Sequence, residues 1–243
     1  MRDKVSVAMA TYNGEKYIKD QLDSILIQLN ADDEIIISDD GSTDKTKDII
    51  KSLKDKRIKV IDGPRKGVKQ NFANALKKTT GTYIFLSDQD DVWNPNKVDS
   101  IVKIFEKNPE CVCVLHDCIV VDEKCEKIII PSFFNFRLSK KGVLKNIYKN
   151  SYIGCCMAIR KDLKEYILPI PNNIEMHDQW IGIISELVGK TVFSKQKLIK
   201  YRRHENNVSG LSHYGIIKMI KNRILFIKEI FAFYVTKNKL LRN

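Results

Sequence analysis

The sequence predicts an α/β fold, with a mostly parallel central sheet flanked by helices and a helical tail. Two observations carry this. Short apolar runs alternate with stretches of helical period along roughly the first 90 residues, as in strands joined by crossover helices. Beyond about residue 215, apolar residues recur every three or four positions between lysines and arginines.

Residues 5–10 read as the first strand, ended by the turn Thr11-Tyr12-Asn13-Gly14. Residues 15–29 place Ile18, Leu22, Ile25, Leu26 and Leu29 on one helical face. Residues 34–38 form the second strand, and Asp39-Asp40-Gly41-Ser42-Thr43-Asp44 a polar loop. A helix over 45–53 follows, with Ser42 or Asp44 as its cap. A strand at 58–61, a helix at 71–78 and a strand at 83–86 complete the first half. The second half is mixed: strands at 112–121 and 152–159, helices at 139–149 and 178–187, and short strands at 192–194 and 198–201. These assignments divide the chain into a domain over 1–212, with halves 1–100 and 101–212, and a tail over 213–243.

Of 243 residues, 43% are hydrophobic, enough for a substantial core. The net charge of +12 fits phosphorylated substrates or anionic lipid. No basic run or zinc-finger pattern supports nucleic-acid binding, which is disfavoured. The six cysteines contain no Cys-x-x-Cys pair and read as reduced thiols. No stretch suits a signal peptide or spanning helix, so a cytoplasmic chain is expected. Gly-x-Gly-x-x-Gly and Gly-x-x-x-x-Gly-Lys-Ser/Thr are both missing, which disfavours dinucleotides and P-loop chemistry.

Four polar clusters carry chemistry. Asp88-Gln89-Asp90-Asp91-Val92-Trp93 crowds three carboxylates after a strand, where open α/β sheets bind ligands. Crowded carboxylates suit a divalent cation, and alternation puts Asp88 and Asp90 on one side. A calcium-loop frame fails because Trp93 occupies its glycine position. Asp39 and Asp40 end the second strand on the same sheet edge, as base- or ribose-binding carboxylates or as turn formers. Glu175-Met176-His177-Asp178-Gln179-Trp180 opens a helix, so Asp178 is either a cap or a general base. Tyr201-Arg202-Arg203-His204 leads into Asn207-Val208-Ser209-Gly210 and combines phosphate-binding guanidinium groups with a metal-ligating imidazole.

In this order and spacing, the clusters resemble the family 2 glycosyltransferases, from about Lys4 to Gly210. The matching pieces are Val5-Ser6-Val7 to Thr11-Tyr12-Asn13, Asp39 to Asp44, Thr80-Gly81-Thr82-Tyr83-Ile84 and Asp88 to Asp91. Asp90-Asp91-Val92-Trp93, Gly154-Cys155-Cys156-Met157, His177-Asp178-Gln179-Trp180 and the Arg203-His204 segment resemble a bacterial rhamnosyltransferase-like branch.

The resemblance implies a GT-A fold: a Rossmann-like, mostly parallel sheet with a smaller mixed sheet on the acceptor side. It implies inverting sugar transfer from a UDP- or dTDP-sugar to a saccharide or lipid-linked acceptor, in bacterial surface polysaccharide synthesis. It places Thr11, Tyr12, Asn13, Glu15, Asp39, Asp40, Asn71, Asp88, Gln89, Arg202 and Arg203 around the donor. Asp90 and His204 would ligate Mn²⁺ or Mg²⁺, and Asp178 would be the catalytic base. Trp93, Gly154, Cys155, His177 and Trp180 fall on the acceptor side. Two departures stand out: His177 replaces a glutamate before Asp178, and Asn71-Phe72 stands where many members have Ala-Arg, leaving Lys66 or Lys69 as basic substitutes.

A nucleotidyltransferase shares the sheet and acidic site but wants a Gly- and Lys/Arg-rich first loop. A non-catalytic basic protein explains the charge but not the ordered acids. In the tail, Ile216, Ile220, Ile224, Ile227, Phe231 and Tyr234 form one face among Lys218, Lys221, Arg223, Lys228, Lys237, Lys239 and Arg242. That helix either packs on the domain or lies on an anionic membrane surface, peripheral to its inner face.

Overall fold

The computed structural model describes residues 2–205, 207 and 215–240. Expectations for Asn206, Val208, Ser209, Gly210 and Arg242, and for the side chains of Ile216, Lys237 and Lys239, fall outside the described residues.

β1 (Val5–Thr11), β2 (Glu34–Asp39) and β4 (Tyr83–Ser87) are buried along their whole length. That is why their sequences run apolar without alternating. α1 (Ile18–Leu26), α2 (Thr46–Ser52) and α3 (Val68–Lys78) cross between parallel strands, and β3 (Ile58–Asp62) is the half-exposed edge of the order β3-β2-β1-β4. At the end of the sheet opposite the site, the buried Glu34 carboxylate accepts hydrogen bonds from Ser6, Lys59 and Thr80. Burial alone would push Glu34 up, but these donors outweigh it and hold it at about 2. Next to it Gly81 lies so close to the first strand that a Cβ would sit 2.7 Å from the Ser6 nitrogen. The Thr80-Gly81 pair is therefore a lock on the sheet.

The second half extends the same sheet. Its elements are β5 (Val92–Trp93), α4 (Lys97–Lys107), β6 (Cys111–Val121), β7 (Ile128–Ile130), α5 (Phe133–Arg137), α6 (Val143–Tyr148), β8 (Met157–Arg160), α7 (Lys164–Ile167), α8 (His177–Val188) and β9 (Lys190–Arg202). β8 inserts antiparallel between β4 and β6, β6 pairs parallel with β9, β5 is the edge opposite β3, and β7 pairs with the end of β6. The mixed portion is thus continuous with the parallel portion through β4 and β8.

Several boundaries differ from the sequence reading. The two short strands at 192–194 and 198–201 are one 13-residue strand, β9. Its polar middle is a bulge, with His116 pairing Ser194 and Asp117 pairing Lys197. The helix expected at 139–149 starts only at Val143, because Gly142 adopts φ +125°. The strand expected from 152 starts at Met157, after a tight turn over Gly154–Cys156.

α9 (Ile216–Leu240) packs on the domain, but not by the face named above. Phe226 is buried, and Phe226 and Phe233 meet the Trp180 ring edge-on, both at 6.2 Å. No helix among the described residues is long and apolar enough to cross a membrane.

Candidate donor and catalytic site

Thr11, Asp39 and Ser87 end three adjacent parallel strands, with Thr11 paired to Asp39 and Met9 to Ser87. The loops leaving them are tied together. Asn13, at φ 47°, donates its amide to Ser42 Oγ and accepts the Thr43 amide, each at 2.9 Å. The Glu15 carboxylate accepts the Lys45 amide at 2.9 Å. The Gln89 side chain brackets Tyr12, accepting its amide at 3.0 Å and donating to its carbonyl at 3.1 Å. Gly14 leaves room for this, since a Cβ there would lie 2.4 Å from Gln89 Oε1. Asn13, Glu15 and Gln89 thus brace the loops, and Tyr12 stays 56% exposed at the mouth.

Asp39 is buried and accepts from Thr11 Oγ1, the Gly41 and Ser42 amides and Ser42 Oγ. Burial pushes its carboxyl up, yet the Ser42, Thr11 and Lys47 donors win and hold it below the usual range. Asp40 accepts the Arg65 amide at 2.6 Å and the Gly67 amide at 2.9 Å, ordering the loop before α3. Asn71 is buried, donates to the Thr11 carbonyl at 3.2 Å, and leaves its Oδ1 without a hydrogen-bond partner among the described residues. Lys69, a candidate basic substitute, donates instead to the Asn172 and Ile174 carbonyls, tying α3 to the segment before α8.

The acids at 88–91 separate by environment. Burial, reinforced by the charges of Asp90 and Asp178, pushes Asp88 up to about 7. Its backbone carbonyl is fixed by the buried Gln21, which also donates to Ser87 Oγ. Asp91 is fully buried, accepts the Arg202 amide at 3.1 Å, and links this loop to β9. Ligand-type atoms of Asp88, Asp91 and Cys155 lie within 4.8 Å of one another. Beside them sits Lys97, fully buried, its Nζ donating to the Cys155 carbonyl at 2.8 Å and lying 4.0 Å from the Trp93 ring centre. Burial lowers Lys97 to about 8, against the pull of Cys156, Cys155 and Asp91. Sequence reasoning missed Gln21 and Lys97. Both occupy buried helical positions, where a polar residue within an apolar period was the available signal.

Asp90 and His204 meet, with His204 Nε2 2.9 Å from Asp90 Oδ2. The His204 ring stacks on Tyr17 at 4.4 Å, and its backbone amide donates to Asn207 Oδ1 at 2.8 Å. That bond turns Asn207 Nδ2 toward Asp90, at 3.3 Å. Arg203 lies 5.9 Å over the Tyr201 ring.

Asp178, the second residue of α8, is only 8% exposed, and its Oδ1 accepts the Gln179 amide at 2.6 Å. Burial raises it to about 7 despite that bond and one from the Gly154 amide. His177 stacks on Phe72 at 4.1 Å, and neither ring nitrogen has a partner among the described residues. Burial pushes His177 down to about 3, so it is a neutral ring behind the carboxylate at neutral pH. A Cβ on Gly154 would come 2.9 Å from His177 Nε2, so this glycine sets how closely the turn approaches α8.

Five expectations need correction. His177 is 3% exposed and stacks on Phe72 behind Asp178, so it is not an acceptor contact. Trp93 is 2% exposed and packs against Phe85 and Lys97, so it is core and not an acceptor contact. Trp180 is 3% exposed and donates to the Ile167 carbonyl at 2.9 Å. Two positions along a helix turn it about 200° from Asp178, away from the site. Cys155 faces the buried acids rather than an open surface. Arg202 is buried, 5.0 Å over the Tyr17 ring, and reaches Asp20 and the Glu123 carbonyl rather than the strand ends.

The chain resembles known transferases in sequence and shape. It is 27% identical over 236 residues to the dTDP-rhamnosyl transferase RfbG of Shigella flexneri, covering 88% of this chain and 80% of that one. It is 26% identical over 210 residues to the Escherichia coli UDP-Glc:α-D-GlcNAc-diphosphoundecaprenol β-1,3-glucosyltransferase WfgD, covering 85% and 79%. Its shape matches S. aureus TarS 1-349 in complex with UDP-GlcNAc with a TM-score of 0.73 at 21% identity. That match covers 92% of this chain and 66% of the TarS chain, and supports the GT-A fold. The model of glycosyl transferase family 2 matches residues 6–167, and the chain belongs to that family.

Proposed function

We propose that the protein inverts the anomeric centre of a UDP- or dTDP-linked sugar as it transfers that sugar to a saccharide or lipid-linked acceptor, in bacterial surface polysaccharide synthesis. Rhamnose, the sugar in the name of the relative RfbG, heads the donors to test. The observation that carries the reading is Asp178. It is a carboxyl raised to about 7 by burial, close enough to Asp88 for the two charges to repel. A general base works best with a pKa near the working pH.

In this reading Thr11, Tyr12, Asp40 and Asn71 border the nucleoside, with Asp39 ordering their loop, and Asp88 meets the ribose. The acceptor hydroxyl gives its proton to Asp178 as its oxygen attacks the anomeric carbon. The bond from that carbon to the diphosphate oxygen breaks on the opposite face. The sugar is inverted and a nucleoside diphosphate leaves, its new charge opposed by Arg203. Neutral His177 and the Gly154 amide hold the base in place.

The donor set fits a divalent cation. A carboxylate oxygen and an imidazole nitrogen face each other at 2.9 Å, beside acids that repel without a counter-charge. Asp90 and His204 would hold Mn²⁺ or Mg²⁺, which when bound would stabilise negative charge on the diphosphate.

A donor screen with divalent metal tests the proposal. Release of UDP or dTDP that depends on acceptor supports it. Release of pyrophosphate would mark a nucleotidyltransferase, and no affinity for any nucleotide would remove the donor site.

A further inference from the structure

α9 carries two apolar faces, and the described residues cover only one. Phe226 and Phe233 pack on Trp180. Ile220, Ile224, Ile227, Phe231 and Tyr234, at alternating steps of four and three, are 50–67% exposed. The patch continues onto α6, where Leu144 and Tyr148, one turn apart, are 83% and 72% exposed. Arg223 joins the two helices, donating to the Tyr148 carbonyl at 2.5 Å and lying 4.9 Å over its ring. A solvated surface gains nothing from such a stripe, and large exposed apolar patches mark interaction sites.

The border of the patch identifies the partner. By helical position, Lys221 and Lys228 flank one edge of the stripe and Arg223 the other, with exposed Lys149 beside Tyr148. The one acid of α9, Glu229, is taken by Asn173 Nδ2 at 3.2 Å. An apolar stripe between cationic edges matches acyl chains beneath anionic headgroups. A second copy of the chain would instead bring the same positive charges face to face. The patch also lies next to the base. Asn222 donates to Glu175, three positions before Asp178, at 2.8 Å, and Gln179 donates to the Asn146 carbonyl of α6 at 2.8 Å.

We infer that α6 and α9 form a docking face for an anionic phospholipid bilayer, which sets the Asp178 side of the site against the membrane surface. This rests on the lipid-linked form of the acceptor proposed above. It adds which surface meets the bilayer and which end of the site faces it.

The test is sedimentation of the full chain with vesicles of phosphatidylcholine alone or with about 30% phosphatidylglycerol. The wild type should bind the anionic vesicles, and more weakly as salt rises. Ile224→Glu with Phe231→Glu should weaken binding about tenfold or more. Lys221→Glu with Lys228→Glu should weaken it by a similar factor and flatten the salt dependence. Both pairs are surface changes and should leave thermal melting and transfer to a water-soluble acceptor analogue unchanged. Wild-type protein that ignores anionic vesicles would overturn the inference, as would equal binding by the Glu pair at 224 and 231. A dimer in solution that the same pair dissolves would make this a self-interface and would overturn it too. Vesicle binding that needs these residues, without sugar transfer to any acceptor, would uphold the docking face and sink the proposed function alone.

Discussion

Replacing Asp178 by Asn should destroy turnover and stabilise the fold at the same time. The side chain keeps its shape, and its oxygen can still accept the Gln179 amide, now 2.6 Å from Asp178 Oδ1. What disappears is a buried charge and one acceptor oxygen among those facing Gln179, Gly154 and Asn150. Asp178 stands at about 7 in the folded chain against an ordinary value of 3.8. A raised carboxyl binds its proton more tightly when folded, so wild-type stability falls as pH climbs from about 4 to about 7 and then levels. At 1.36 kcal/mol per pH unit, the ceiling on this loss is about 4 kcal/mol at pH 8 and below about 2 kcal/mol at pH 5. Asp178→Asn escapes it. In metal-free buffer its melting temperature should exceed the wild type's by about 5–10 °C at pH 8, and by less than half of that at pH 5. Transfer should fall about 10³-fold or more while donor affinity holds. Wild-type kcat/KM should drop on the acid side of about pH 7, where an unperturbed carboxylate would stay active. A variant equally destabilised at both pH values, or one with near-normal turnover, would refute the assignment.

Three further outcomes follow from the same geometry. Asp90→Asn, which removes the ligand's charge, and His204→Ala, which removes the imidazole, should each weaken activation by Mn²⁺ about 10-fold or more in a metal titration. Lys97→Met removes the ammonium held by the Cys155 carbonyl beside Asp88 and Asp91, and should cost about 3 kcal/mol in urea unfolding. Trp180→Ala should cost about 3–5 kcal/mol by the same measurement, and the acceptor KM of enzyme that stays folded should not move.

The first half was legible because each local signal agrees with the whole. Val5 to Thr11, Glu34 to Asp39 and Tyr83 to Ser87 are wholly buried strands that read as apolar runs, and polar turns follow them at one sheet edge. Asp90 and His204 stood out together in the sequence, and the fold brings them to 2.9 Å although 114 residues separate them. Other parts depended on context that a motif lacks. Trp93 and Trp180 share motifs with Asp90 and Asp178, but strand and helix geometry send neighbouring side chains in different directions. β9 looked like two strands because Lys195 and Gln196 form its bulge. In α9 the apolar period is real, but the stripe it marks is not the face that packs on the domain. Phe226 and Phe233 fill the space against Trp180, and the longer Ile220–Tyr234 stripe faces out.

The most direct test of inverting transfer at this site combines product analysis with the Asp178 variant. Purified chain, a UDP- or dTDP-sugar of known anomeric configuration, Mn²⁺ and a lipid-linked or short-chain saccharide acceptor would be followed by phosphorus and proton NMR. The expected result is a nucleoside diphosphate and a product of the opposite anomeric configuration from wild type, and neither from Asp178→Asn. A product that keeps the donor's configuration, pyrophosphate in place of the nucleoside diphosphate, or the same inverted product from the variant at wild-type rate would contradict it.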